Sequence, residues 1–444
     1  MSTSSKHYTI TEYEGFVNED KPMPGFENLP KGYTKIPGRI FDALESSILS
    51  YRHDKDTETI ELLSLSAGRG IGKTITARNY VGVITMKDGT VIEILPKIHG
   101  ELPGDTNEEQ IKATRDIFLK MLRTLKDSPF KEFRTANLKT EKMNILEVFI
   151  SMFLNEANSL AKQGIKSDYN SIEENELFYK GKLNVTQNIK YNHTNKARFH
   201  VRYDVFSIDR PENRLIKSTL LFLKSKSTNS HNKMSITRLL SFFESIDISK
   251  NYNTDFSMCM NNRSMSHYEQ ALVWCDVFLR GSSFTAFTGK DIAIALLFPM
   301  EKIFESYVAT KLRRMYDDAI VYTQDGTYSL FDSPRKFNLR PDIVMKHHEK
   351  PVILDTKWKM LSSSNSNYGI SQSDMYQMYA YSKKYDAGRV ILIYPLPERL
   401  REEDIKPYYA NDNVIVDVSF VDLSKPDDIG FADVNRKIVK TVCM

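Results

Sequence analysis

The chain has 444 residues, 41% hydrophobic and 11% aromatic, enough to bury sizeable cores and too many to fit a disordered polymer. Its net charge of +4 neither demands nor excludes a nucleic-acid partner, because a local basic face can be hidden in the average. Three scattered cysteines, Cys259, Cys275 and Cys443, exclude a disulfide framework or a cysteine zinc site. The opening residues MSTSSKHYTITEYEGF hold no apolar core of a signal peptide, and no run of about 18 apolar residues occurs. The expectation is a soluble, cytoplasmic protein with no membrane partner, in about three domains at ~150 residues each.

Taken in chain order, the first hundred residues read mainly as strands and turns. ETIELLSLSA, ITARNYVGVITM and TVIEILPKI carry β-branched alternation, and Lys87-Asp88-Gly89 signals a hairpin between the last two. The stretch AGRGIGKT, residues 67–74, fits a loose Walker A pattern, with Ala67 at the first glycine position and Lys73-Thr74 at the phosphate and Mg²⁺ positions. A working P-loop continues into a helix, whereas the residues after Thr74 read as strand, and no segment offers a clear Walker B run. The stretch is therefore read as a hairpin tip. Glycines at 68, 70 and 72 permit positive φ, and Arg69, Lys73 and Arg78 ride on it as a basic, solvent-exposed loop.

A helical pair follows, EEQIKATRDIFLKMLRTL and MNILEVFISMFLNEANSLAK, with apolar residues spaced at three and four. Its basic residues include Lys112, Arg115, Lys120, Arg123, Lys126, Lys131 and Arg134. They read either as a solvated helix face or as a track for DNA phosphate. In the middle, FYKGKLNVTQNIKYNHTNKARFHVRYDVFS reads as strands, followed by helices over NRLIKSTLLFLKSK, MSITRLLSFFESI and HYEQALVWCDVFLR and a polar loop at SKSTNSHNK. Lys180, Lys182, Lys190, Lys196, Arg198 and Arg202, interleaved with Tyr179, Tyr191 and Phe199, fit a nucleic-acid surface and a half-buried sheet equally. Asp209-Arg210-Pro211 reads as a helix start.

The last part opens with an amphipathic helix in FPMEKIFESYVATKLRRMY. RPDIVMKHHEKPVILDTKW is strand–turn–strand, with His347-His348 exposed at the turn. A Ser/Asn-rich loop, the helix SDMYQMYAYSKKY and the buried strand RVILIYP complete an α–β–β–α–β order, which predicts an α/β core with a mixed sheet. The fold class is α+β multidomain. A β-rich N-terminal domain with the helical pair spans 1–165, a mixed α/β middle region 166–285, and the C-terminal α/β core 286–444.

The chemistry concentrates in that core. Asp342 opens one strand, and Asp355 and Lys357 end the next. Residues two apart on a strand share a face, so Asp355 and Lys357 project together and Thr356 the other way. The intervening turn folds Asp342 back toward Asp355. Two carboxylates and an ammonium then converge on a site suited to Mg²⁺, which binds one or two carboxylates with phosphate oxygens and water. A phosphodiester held there is open to in-line attack by a metal-activated water, with Lys357 orienting that water and offsetting charge. Without metal, one of two adjacent carboxylates has a raised pKa. Asp342 and Asp355 are the metal-binding candidates. Glu305, on the preceding helix, is either a further acid for the metal or a plain exposed glutamate, and Glu301 is a weaker candidate. Gln377 and Tyr381 share a helix face and either bond DNA phosphate, brace the acids, or are ordinary helix-surface polarity. Asp374 favours the first turn of its helix through the dipole.

These motifs carry a resemblance. RPD, then ILDTKWK, SDMYQMYAY and a strand ending in Tyr-Pro resemble the PD-(D/E)xK nuclease domain of the McrC subunits of McrBC-type modification-dependent restriction systems. Gln377 and Tyr381 also resemble the Q-x-x-x-Y motif of RecB-like nucleases. Upstream, ITEYEGF, ARNYVGVITMKDGTVIEILPKI, YKGKLNVTQNI and FSIDRPENRLIK are similar to segments of the same family, so the likeness covers nearly the whole chain. Trp358 departs from the usual tyrosine. The resemblance implies a Mg²⁺-dependent endonuclease subunit acting on double-stranded DNA, with Asp342, Asp355 and Lys357 at the catalytic positions. It also implies an AAA+ GTPase partner that reads modified cytosine, and insertion of the N-terminal part into that partner's ring. Arg69, Lys73 and Arg78 are then candidates for stimulating GTP hydrolysis. Two alternatives stand beside it: a non-catalytic activator of such a ring, and a stand-alone DNA nuclease.

Overall fold

The computed structural model describes residues 6–21, 29, 31–53, 62–68, 71–98, 108–125, 143–259, 267–280, 291–317, 319–346, 351–401 and 403–442. The chain forms two compact units, one from residues 1–141 together with 283–444 and one from 142–282. Among the described residues, no helix is long and apolar enough to cross a membrane. Cys259 and Cys275 are free thiols, and Cys443 lies outside the described residues.

The first unit begins with β1 (His7–Thr11), β2 (Gly15–Asn18), β3 (Tyr33–Ile36), α1 (Gly38–His53), β4 (Leu63–Gly68), β5 (Gly72–Ala77), β6 (Tyr80–Met86), β7 (Val91–Leu95) and α2 (Glu108–Leu122). One sheet has the order β3-β2-β5-β4. Helix α1 was absent from the strand-and-turn reading, although its buried Ile40, Phe41, Leu44 and Ile48 repeat at helical spacing. The segment ITARNYVGVITM, read as one strand, is two. The chain leaves β5 at Ala77, and β6 starts at Tyr80 in a different sheet. The predicted hairpin between β6 and β7 is present, with Gly89 at φ +90° closing the turn.

The second unit contains α3 (Ile145–Gln163), β8 (Asp168–Glu176), β9 (Lys182–Leu183), α4 (Val185–Asn192), β10 (Phe199–Ser207), α5 (Pro211–Lys226), α6 (Ser230–Phe242), α7 (Tyr252–Cys259) and α8 (Glu269–Arg280). The strands form a sheet of order β8-β10-β9. Part of the segment read as strands, VTQNIKYN, is helix α4, because the Asn184 side chain caps it by accepting from the Gln187 N–H. Helix α6 likewise starts inside the expected polar loop, capped by Asn229. Pro211 at the first turn of α5 is as expected. At the heart of the helices, the buried Glu147 accepts from Ser227, from Thr228, and from the Asn229 N–H and Asn232 amide.

The chain then returns to the first unit with β11 (Ile292–Pro299), which pairs antiparallel with β6 and completes a sheet of order β1-β7-β6-β11. At Gly82 (φ +140°) a Cβ would meet the Leu296 carbonyl oxygen at 2.0 Å, so this close strand approach requires glycine. The three-part division read from the sequence thus differs from the two units. Strand β11 belongs with the N-terminal sheet, and α3 belongs with the middle helices.

After β11 come α9 (Met300–Met315), β12 (Ile320–Thr323), β13 (Ser329–Asp332), β14 (Arg335–Asn338), β15 (Ile343–Lys346), β16 (Pro351–Thr356), α10 (Gln372–Lys384), β17 (Arg389–Pro395), β18 (Tyr408–Tyr409), β19 (Ile415–Val421), α11 (Asp427–Gly430) and α12 (Ala432–Val442). Six strands form a mixed sheet of order β12-β15-β16-β17-β19-β18. The hairpin β15–β16 is antiparallel, and β16, β17 and β19 run parallel. Ile353, Met378, Tyr381, Val390 and Leu392 are buried in one core between this sheet and α10. The predicted mixed sheet is present, but the predicted α–β–β–α–β order is interrupted: β12, β13 and β14 stand between α9 and the β15–β16 hairpin.

Candidate active site

Strands β15 and β16 pair Ile343 with Leu354, so Asp342 and Asp355 stand opposite each other at the open end of the hairpin. Thr356 donates its backbone N–H (2.8 Å) and its hydroxyl (2.7 Å) to Asp342 Oδ2. Gln324 Nε2 donates to Asp342 Oδ1 at 3.0 Å and to Glu305 Oε1 at 2.9 Å. Gln324 has φ +53°, and its own N–H donates to the Asp342 carbonyl.

Asp355 is 1% exposed. Lys357 Nζ lies 2.8 Å from Asp355 Oδ2 and 3.5 Å from Asp374 Oδ1. It donates to Gln377 Oε1 at 3.1 Å, and Gln377 Nε2 donates to the Tyr381 hydroxyl at 2.7 Å. Helix α10 presents these groups. Its start is fixed by a capping box in which Ser371 accepts from the Asp374 N–H and Asp374 accepts from the Ser371 N–H.

Burial pushes the Asp355 carboxyl up to about 7, and the Asp342 charge adds to the shift while Lys357 opposes it. Asp342 is also raised by burial, against the pull of its bonds from Thr356. Burial alone would lower the Lys357 ammonium pKa, but Asp355, Asp374 and Asp342 outweigh it and raise the value. The result is a carboxylate pair, Asp355 buried and Asp342 half-buried, with a protonated lysine beside it.

A cavity of about 830 Å³ opens over this group and is lined by Lys97, Glu301, Lys302, Glu305, Asp342 and Lys357, among others. The N-terminal segment also reaches it. Trp358 Nε1 donates to Glu12 Oε2 at 2.9 Å, and the Lys97 N–H donates to the same oxygen at 3.0 Å. Glu12 is fully buried, and burial raises its carboxyl to about 7.

The family described as McrBC 5-methylcytosine restriction system component matches residues 75–395. The chain belongs to this McrBC family. It is similar to the type IV methyl-directed restriction enzyme EcoKMcrBC of Escherichia coli (strain K12), at 24% identity over 313 residues, 65% of this chain and 87% of the relative. Its fold is similar to a chain in the refined half-complex from a tetradecameric assembly of Thermococcus gammatolerans McrB AAA+ hexamers with bound McrC. There the TM-score is 0.66 at 18% identity, covering 97% of this chain and 100% of that one.

In this McrBC-family chain the expected trio of Asp342, Asp355 and Lys357 is brought together. Gln377 and Tyr381 do share a face, and they brace Lys357 rather than the acids. Glu305 joins through Gln324. Among the described residues no group of three His, Cys, Asp or Glu side chains is gathered to hold a metal. The mutually repelling carboxylates of Asp342 and Asp355 still fit a hard cation that keeps several waters, as Mg²⁺ does.

Other expectations fare differently. After the glycine-rich turn the chain enters β5, not a helix, so AGRGIGKT lacks the helix N-terminus of a P-loop. Gly68 pairs with Gly72 at the hairpin tip. Lys73 pairs with Glu45 at 2.5 Å, Arg78 is exposed, and Arg69 lies outside the described residues. Two of the described basic residues on the helical pair are engaged within the chain. Arg115 forks onto the buried Glu93 (2.9 and 2.7 Å), and Lys120 pairs with Asp427 at 2.5 Å. Lys126, Lys131, Arg134, His347 and His348 lie outside the described residues. In the middle set, Lys180 pairs with Glu176 and sits 3.9 Å over the Tyr203 ring, while Arg198 donates to the Asn175 carbonyl. The sequence reading missed Gln324, Glu12 and the role of Thr356. Thr356 lies inside the motif, whereas no local pattern marks Gln324 or Glu12.

Proposed function

We propose that this McrBC-family chain is the endonuclease subunit of a GTP-dependent restriction complex directed at modified cytosine, a Mg²⁺-dependent phosphodiester hydrolase acting on double-stranded DNA. The observation that carries this reading is the carboxylate pair, half-buried Asp342 and buried Asp355, with Lys357 at 2.8 Å from Asp355 in an open cavity. Asp342 and Asp355 would hold the metal, with Glu305 reaching it from the Gln324 side. When bound, Mg²⁺ supplies an acidified water and neutralises charge on the phosphate. Lys357 orients the water and offsets charge on the phosphate oxygens, while Gln377 and Asp374 fix where its ammonium points. Lys97 and Lys302 on the cavity wall supply positive charge for the DNA backbone.

The partner in this reading is an AAA+ GTPase ring. Its support is the fold likeness to a chain in an assembly of McrB AAA+ hexamers with bound McrC. In this reading the β4–β5 hairpin region engages that ring, with Lys73 on β5, Arg78 just after it, and Arg69 as the candidate basic groups. The test mixes purified chain, partner, methylated plasmid, GTP and Mg²⁺. Cutting by the wild type, lost in Asp355→Ala with GTPase stimulation kept, is the expected outcome. Stimulation without wild-type cutting establishes a non-catalytic activator, and cutting without partner or GTP establishes a stand-alone nuclease. Lys73→Ala with Arg69→Ala is expected to weaken stimulation; unchanged stimulation removes the hairpin from the scheme.

A further inference from the structure

Trp358 stands immediately after Lys357 and is 8% exposed. Two elements hold it. Its ring packs on Phe304 of α9 at 5.4 Å between centroids, and Phe304 neighbours Glu305. Its indole N–H donates to Glu12, which follows β1 in the N-terminal segment. Between Lys357 and Trp358 the backbone is pinned as well, since the Lys357 N–H donates to the Ile393 carbonyl and the Lys359 N–H to the Lys357 carbonyl. The strand end that carries Lys357 is thus clamped by three separate parts of the chain.

Glu12 is an expensive choice for a packing residue. It is 0% exposed, Oε2 accepts two hydrogen bonds, and Oε1 has no hydrogen-bond partner among the described residues. Burying a carboxylate with half of its acceptor capacity unfilled opposes folding, and an apolar side chain would fill the space without that penalty. What the carboxylate adds is its grip on the Trp358 indole and on the Lys97 backbone, both on the wall of the cavity that holds Asp342 and Lys357.

We infer that Glu12 is a positioning residue for the reaction: through the Trp358 indole it fixes Lys357, tying the N-terminal β segment to the nuclease centre. The inference rests on the endonuclease reading above. It assigns Trp358 a function that a phenylalanine cannot take over, because phenylalanine keeps the packing on Phe304 and loses the donor. It also makes the nuclease site incomplete without residues from the first β segment.

The test uses the full chain with its partner, GTP, Mg²⁺ and methylated DNA, and compares Glu12→Gln, Glu12→Ala, Trp358→Phe and the double variant Glu12→Ala/Trp358→Phe. Glu12→Ala and Trp358→Phe are each expected to lower kcat by about 10- to 100-fold with KM for DNA within about twofold. The double variant is expected to be no worse than either single one, since both remove the same bond. Glu12→Gln, which keeps an acceptor oxygen, is expected to retain most of kcat. In a Trp274→Phe background Trp358 is the one tryptophan, and its emission is expected to shift in Glu12→Ala but not in Glu12→Gln. Folded variants with wild-type kcat, or losses that multiply in the double variant, overturn the inference while leaving the nuclease reading intact. If the wild type itself leaves the DNA uncut, the nuclease reading fails and the inference falls with it. Should Glu12→Ala not fold, Trp358→Phe against Glu12→Gln decides: a Trp358→Phe enzyme with wild-type kcat overturns it.

Discussion

Thr356 gives both of its polar hydrogens to one oxygen of Asp342, its backbone N–H at 2.8 Å and its hydroxyl at 2.7 Å. The strand that delivers Asp355 therefore also aims Asp342. Thr356→Val keeps the shape and the backbone bond and deletes the hydroxyl bond. The expected loss is about 1 kcal/mol of transition-state stabilisation, roughly a five- to tenfold drop in cleavage rate. Single-turnover cleavage at saturating Mg²⁺ measures it, and a rate equal to wild type would show that the hydroxyl does not orient Asp342.

Asp355 contributes to the pH dependence of the metal-free chain. Its carboxyl is raised from 3.8 to about 7, first by burial and then by Asp342. Between those values the folded chain binds a proton that the unfolded chain has released. Its contribution to stability therefore falls as pH climbs from about 4 to about 7 and stays low above that. Asp355→Asn removes the ionisation, and in the absence of metal it is expected to raise stability at pH 8 by about 1–3 kcal/mol relative to wild type. At pH 4 the difference should vanish. Urea melts with chelator at both pH values check the sign. If the proposed Mg²⁺ is held by Asp355, the same proton competes with it, so the metal concentration for half-maximal cleavage is expected to rise as pH drops below about 7.

Asp427 shows the opposite sign. Burial alone would raise its pKa, but Lys120, Lys311 and Tyr307 bond to it and hold it down at about 2. Its stabilisation is present above the ordinary carboxylate value near 4 and is lost as pH falls toward about 2. Asp427→Asn is expected to cost about 1–2 kcal/mol at pH 7, discounted because the side chain is 27% exposed. The difference should shrink steadily below pH 4. A thermal melt series at pH 3, 5 and 7 tests it, and a constant difference would mean that packing and not charge is lost.

The C-terminal core was legible in the sequence because its signals are local. The apolar run Val352–Leu354 announces a buried strand, and the period-two spacing of Asp355 and Lys357 puts both on one face, where they meet at 2.8 Å. Gln377 and Tyr381 were legible for the same reason, at helical spacing. Gln324 was not, since nothing around it distinguishes it until the sheet places β12 beside β15. Glu12 was out of reach because its partner Trp358 is met only through tertiary structure. Helix α4 was misread because one asparagine cap outweighed a β-rich composition. The pairing of β11 with β6 was not legible, because it is set by tertiary register and not by neighbouring residues.

That pairing governs how the molecule can be made and dissected. Strand β6 is buried along its whole length, yet among the described residues one of its edges is satisfied only by β11, which leaves the ribosome after the entire 142–282 unit. Until then the nascent chain carries an apolar edge open to other chains, the kind of surface that invites aggregation. A fragment cut at the end of the N-terminal region would keep that edge permanently. Fragments meant to isolate the N-terminal half should therefore carry β11 in place of the intervening unit.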